Sequence, residues 1–126
     1  MTIDDLITRI KPRRHVRGSA AALLPFEDDG RIAVEAFQAH LTATHRAGLT
    51  NAVNMDTGYV NYLSGTEKND VLRWTREALG PAVSFIAGAY IEGEAGNVVS
   101  RYRREMDRIA KFGDVFVMRI DRINFI

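Results

Sequence analysis

A chain of 126 residues is the length of one domain or of part of a larger one, and 46% apolar with 26% charged residues is an ordinary globular balance. Seventeen Lys and Arg against sixteen Asp and Glu leave a formal charge of +1. That excludes the marked basic excess of a dedicated nucleic-acid or membrane-surface binder. With no cysteine, disulfides, thiolate metal sites and cysteine nucleophiles are excluded as well.

Met1-Thr-Ile-Asp-Asp-Leu6 has acids where a signal peptide needs bases, and no stretch approaches the roughly 18 apolar residues of a membrane span. The expectation is a cytoplasmic protein without membrane contact. Ile3, Leu6, Ile7 and Ile10 have helical spacing, and Pro12 ends that helix. The basic run Lys11-Pro-Arg-Arg-His-Val-Arg17 follows and reads as solvated surface, so residues 1–17 form an N-terminal helix and lead-in. Ser19 to Leu24 is an apolar run of strand length, stopped by Pro25 and by Asp28-Asp29-Gly30.

From Ile32 to Ala47, the residues Val34, Phe37, Leu41 and His45 share one helical face, and Gly48 supplies the left-handed closing residue. Asn51-Ala-Val-Asn-Met55 reads as a second strand and runs into Asp56-Thr-Gly-Tyr59. Ser64-Gly-Thr-Glu67 is a capping-box pattern, opening a helix with Val71, Leu72, Thr75, Ala78 and Leu79 as its buried stripe. Gly80-Pro81 stops that helix. Val83 to Ala87 is the third strand, entering the glycine-rich stretch from Gly88 to Gly96. Asn97 is an N-cap candidate for a helix whose apolar face is Val98, Val99, Tyr102, Met106, Ile109 and Ala110. Its basic residues, Arg101, Arg103, Arg104, Arg108 and Lys111, read as a solvated face, with Asp107 and Lys111 in favourable i,i+4 order. After Gly113, Val115 to Met118 is a fourth strand.

Gly48, Gly80 and Gly113 recur at intervals of 32 and 33 residues, each where a helix yields to an apolar run. One helix and one strand per period excludes the two-helix solenoid repeats of similar length. Short continuous apolar strands separated by single amphipathic helices mean an α/β fold with a parallel sheet covered by helices. Two architectures satisfy this: part of a (β/α)8 barrel, and a small open doubly wound sheet.

In both, ligands bind on the loops that leave the strand ends. The most loaded loop is Asp56-Thr57-Gly58-Tyr59. There, a small residue lets main-chain amides approach a substrate carboxylate or phosphate, and a threonine hydroxyl adds a donor. An ordinary Asp/Gly turn fits the same four residues. Tyr59, Tyr62 and Tyr90 lie in strand-end loops, where a phenol can donate or relay a proton. Asp28, Asp29 and Asp56 could gather around Mg2+ in the manner of a receiver domain, but there the key aspartate ends the third strand, whereas Asp56 ends the second. His15, His40 and His45 lack metal-ligand spacing. Trp74 and Tyr102 read as core or interface residues.

Taken in order, several segments resemble the N-terminal part of the dihydrodipicolinate synthase/N-acetylneuraminate lyase family. They are Gly18-Ser-Ala-Ala-Ala-Leu-Leu-Pro-Phe26, Asp29-Gly-Arg-Ile32, Ala47-Gly-Leu49, the Asp-Thr-Gly turn, Leu63-Ser-Gly-Thr-Glu67 and Phe85-Ile-Ala-Gly88. The resemblance runs from about Arg17 to about Val117. It implies a partial TIM barrel, the first three βα units plus a fourth strand, with residues 18–126 as its N-terminal half. It also implies a lyase or aldolase, usually a homo-oligomer, acting on a small-molecule carboxylate such as a 2-oxo acid. The chemistry implied is a Schiff base to lysine, which needs no separate cofactor or metal.

By the same resemblance, Asp56, Thr57, Gly58, Tyr59 and Tyr90 would face the substrate. Two departures stand out. Where the family has a first threonine that relays protons, this chain has Asp56, whose charge would repel a carboxylate; Thr57, corresponding to the second, is kept. The family's Schiff-base lysine lies on a sixth strand. Lys11, Lys68 and Lys111 fall on helices or helix ends, and the tyrosine pair after the fourth strand is replaced by Arg119-Ile-Asp-Arg-Ile-Asn-Phe-Ile126. The expectations are an apparently truncated chain, inactive alone. The alternatives are a non-catalytic α/β module that self-associates or completes a partner, and a receiver-like Mg-binding domain.

Overall fold

The computed structural model describes residues 1–120. The expectation of an altered tail concerns, from Asp121 on, residues outside that range. Four strands, β1 (Ser19–Ala21), β2 (Thr50–Val53), β3 (Phe85–Tyr90) and β4 (Val115–Ile120), alternate with helices α2 (Val34–Arg46), α3 (Gly65–Leu79) and α4 (Val98–Ala110); α1 (Ile3–Arg9) precedes them. The strands pair in parallel in the order β1-β2-β3-β4.

That order decides between the two architectures. A doubly wound or receiver-like sheet reverses its strand order at a switch point. Here each strand lies beside its predecessor, always in the same direction. Right-handed crossovers then place α2, α3 and α4 on one face of the sheet, as the staves of a barrel require. The receiver-like alternative is thereby corrected, and among the described residues no three His, Asp or Glu side chains converge on a metal position.

The core fills the gap between sheet and helices. Phe37 and Leu41 of α2, Val71 and Leu72 of α3 and Ile109 of α4 meet Ala22, Leu24, Val53, Phe85, Ala87 and Ala89 from the strands. Side chains alternate along a strand, so these residues define the covered face. The opposite face carries the register row Ala21, Ala52, Ile86 and Phe116, with Leu23 and Met118 above it. Gln38 Nε2 donates to Trp74 O at 3.1 Å, joining α2 to α3. Arg108 donates to Asn69 Oδ1 and to the buried Glu105 carboxylate, joining α3 to α4.

Local chemistry explains the element ends. Gly48, Gly80 and Gly113 have φ of 84°, 82° and 96°, which only glycine adopts without strain. Ser64 and Glu67 form the capping box, and Asn97 accepts from Ser100 N. Three details differ from the sequence reading. The third strand begins at Phe85, because the residues after Pro81 are spent on the turn. His45 is exposed at the end of α2. On α4, Glu105 and Ile109 are buried while Val98, Val99 and Met106 are exposed; Glu105 is drawn inward by its ion pair with Arg108.

Candidate functional site

The carboxyl ends of the strands bring three loops together. Beyond β1 the chain makes a tight hairpin. Phe26 bridges Ile32, Glu27 N donates to Arg31 O at 2.7 Å, and Ala33 N donates to Pro25 O at 2.9 Å. Asp29 accepts from Arg31 N and, at 2.7 Å, from Arg31 Nε. These bonds, the backbone one first, hold the Asp29 carboxyl below its ordinary pKa.

Beyond β2 the chain turns sharply. Asn54 sits at φ 53° and Tyr59 at φ 56°, two left-handed non-glycine residues flanking the 3-10 turn Asp56–Gly58. Left-handed backbone is strained for a side chain, and asparagine tolerates it best. Asn54 is anchored by its side chain, Nδ2 donating to Lys68 O at 3.2 Å. Within the turn, Gly58 N and Val60 N donate to Met55 O, and Tyr59 N donates to Asp56 O. Those amides are engaged inside the turn. Thr57 Oγ1 donates across to Ala22 O at 3.4 Å, tethering the turn to the end of β1. Gly58 is buried there; a Cβ on it would stand 3.5 Å from the same carbonyl.

Asp56, Thr57 and Tyr59 are exposed, and the Tyr59 ring lies 5.8 Å from that of Phe26. Tyr90, at the end of β3, lies under this turn instead of beside it. It is buried against Val60 and Met55, and its hydroxyl donates to Glu92 Oε2 at 3.2 Å. The five residues singled out from the sequence thus share one end of the sheet. Four form the turn, with Asp56, Thr57 and Tyr59 exposed and Gly58 buried beneath them, and the fifth is its floor.

One residue dismissed from the sequence joins them. Lys68 is buried to 9% exposure in the first turn of α3, and its Nζ stands 5.1 Å from the Tyr90 ring centroid, a cation–π contact. The signal was present in the capping box: Ser64 and Glu67 fix the start of α3, so residue 68 falls level with the strand ends. Phe26 and Asn54 were also missed. Their roles come from ring contact and backbone handedness, which no spacing pattern displays.

No protein-family model matches this sequence, and no curated protein sequence does. Solved structures do match its fold. The 4-hydroxy-tetrahydrodipicolinate synthase of Methylacidiphilum fumariolicum aligns with a TM-score of 0.67 at 20% identity, over 83% of this chain and 34% of its own. Dihydrodipicolinate synthase of Thermotoga maritima aligns at 0.65 and 18%, over 86% and 36%. N-acetylneuraminate lyase of Mycoplasma synoviae aligns at 0.53 and 16%, over 80% and 44%. The likeness is one of fold. This chain spans about a third of the length of the synthases it matches, and its α/β sheet corresponds to part of their barrel.

Proposed function

We propose that this chain contributes the N-terminal part of a lyase- or aldolase-type barrel site for a 2-oxo acid or related carboxylate. The Schiff-base lysine of that chemistry is not supplied by these residues. The observation that carries the reading is the tethered turn Asp56–Tyr59 over Tyr90 at the carboxyl end of a sequentially ordered parallel sheet, where barrel enzymes place their sites. The Thr57 hydroxyl would turn from its long bond to Ala22 O to donate to the carboxylate, and Tyr59 would border it. Asp56 would oppose the same charge and weaken binding.

Lysine positions set the limit on chemistry. Lys11 lies past α1, and Lys111 caps α4 far from the strand ends. Lys68 is buried against the Tyr90 ring, its Nζ 5.1 Å from the ring centroid, so its amine is held by that contact and not presented to a substrate. Borohydride treatment of the isolated chain with pyruvate should therefore leave its mass unchanged; a stable reduced adduct overturns the proposal. Pyruvate should instead bind weakly, shifting NMR signals of residues 54–60 and Tyr90. Asp56→Thr should tighten that binding about tenfold, equivalent to ~1.4 kcal/mol. Unchanged affinity would remove Asp56 from the site.

A further inference from the structure

Lysine is almost never buried unless its charge is paired. Lys68, in the first turn of α3, is 9% exposed, and its charge meets a ring: Nζ stands 5.1 Å from the Tyr90 centroid. Tyr90 is buried in turn against Met55, which precedes the Asp56–Gly58 turn, and Val60, which follows it. Lys68 reaches the turn by a second route, since its main-chain carbonyl accepts from Asn54 Nδ2 at 3.2 Å. Left-handed backbone at Asn54 and Tyr59 persists only where surrounding contacts over-determine it. The bonds inside the turn, from Gly58 N and Val60 N to Met55 O and from Tyr59 N to Asp56 O, shape it but do not fix it to the sheet.

We infer that Lys68 is the positioning residue of the Asp56–Tyr59 turn, its ammonium clamping the Tyr90 ring beneath Met55 and Val60 while its carbonyl holds Asn54. The two contacts grip the turn at both shoulders and tie it to the start of α3, which the Ser64–Glu67 capping box fixes in turn. The charge supplies what packing cannot. An apolar side chain of the same length would fill the space, but it would not draw the ring under the turn. The turn so held is the one proposed to meet the carboxylate, so the value of the clamp to binding rests on that reading, whereas the clamp itself does not.

Lys68→Met keeps the length of the side chain and the main-chain carbonyl and removes the charge. Amide hydrogen exchange followed by NMR should then quicken about tenfold at Gly58, Tyr59 and Val60, while Leu41 and Leu72 of the core keep their rates. Tyr90→Leu should quicken the same three amides, and adding Lys68→Met to it should change nothing more, because the contact is already gone. Unchanged exchange in Lys68→Met, an equal rise at Leu41 and Leu72, or a further rise when the two substitutions are combined would each overturn the inference. Should Lys68→Met fail to fold, Lys68→Gln, neutral and of similar reach, is read by the same criteria. Pyruvate tests the site separately. A wild-type chain whose signals over residues 54–60 do not shift with pyruvate loses the proposed ligand, and the exchange rates still decide the role of Lys68.

Discussion

The two ends of the sheet are built on opposite terms. At the amino end a single guanidinium holds the loops. Arg76 Nε donates to Phe112 O at 2.8 Å, Nη1 to Gly80 O at 3.0 Å and Val83 O at 2.7 Å, and Nη2 to Asp114 O at 3.1 Å. The same group lies 4.8 Å from the Phe85 ring centroid, so α3 is bound to the lead-ins of both β3 and β4. At the carboxyl end the backbone is left-handed at Asn54 and Tyr59, the turn is tied to its neighbours by two longer bonds, Asn54 Nδ2 to Lys68 O at 3.2 Å and Thr57 Oγ1 to Ala22 O at 3.4 Å, and Asp56, Thr57 and Tyr59 are exposed. Barrel folds divide labour this way, with stability invested at the amino end and strain and variable loops at the other. The lesson is that tolerance to substitution should differ sharply between the ends.

The sharpest break is Arg76→Ala. It leaves four carbonyls without their shared donor and should cost about 3 kcal/mol, read as a fall in Tm of roughly 10 °C. Arg76→Lys should recover less than half, because an ammonium lacks the planar fork that reaches several carbonyls at once. Thr57→Ala, at the other end, should cost under ~1 kcal/mol, since its bond is long. Equal losses at the two ends in thermal denaturation would refute the division.

Much of this layout was legible because it follows from period and punctuation. Gly48, Gly80 and Gly113 announced the units, and Ser64 with Glu67 announced α3, since each depends on local backbone chemistry alone. What was not legible depends on tertiary contact. Arg76 looks like any exposed helix arginine until the loops fold around it. Glu105 is buried only because Arg108 lies one turn away with Asn69 across the groove. Lys68 was set aside as a helix residue because spacing gives no sign that its ammonium reaches Tyr90. The strand order, which separates barrel from doubly wound sheet, is likewise a property of pairing and not of any one segment.

An intermediate effect should come from Asn54, which isolates backbone strain at the carboxyl end. Asn54→Ala keeps a Cβ in left-handed backbone and loses the bond to Lys68 O, and should cost about 2 kcal/mol. Both variants remove the buried Oδ1, which has no hydrogen-bond donor among the described residues, and both lose the bond to Lys68 O, but only Asn54→Gly relieves the strain. It should therefore be close to neutral in denaturant titration. Equal destabilisation by both variants would mean that the side chain, and not the backbone, decides the turn.

The smallest effect concerns acid. The Asp5 carboxylate accepts from Thr2 N at 2.8 Å and from Thr2 Oγ1 at 2.9 Å, closing the capping box of α1, and these bonds, the backbone one first, hold its pKa below the ordinary 3.8. A depressed carboxyl pKa favours the folded cap above the unfolded value, and that preference is lost as pH falls through the folded one. None of the residues of α1 is buried, so its cap opens without disturbing the core. Acidification below about pH 4 should shift the amide signals of Thr2 and Asp5 while those of Leu41, Leu72 and Phe85 stay fixed. The Asp29 loop, closed by Arg31 in the same manner, should respond over the same range. Asp5→Asn should abolish the response at α1 and leave the one at Asp29. A core that moves together with α1 would show that the N-terminal helix is tied to the sheet more firmly than its exposure indicates.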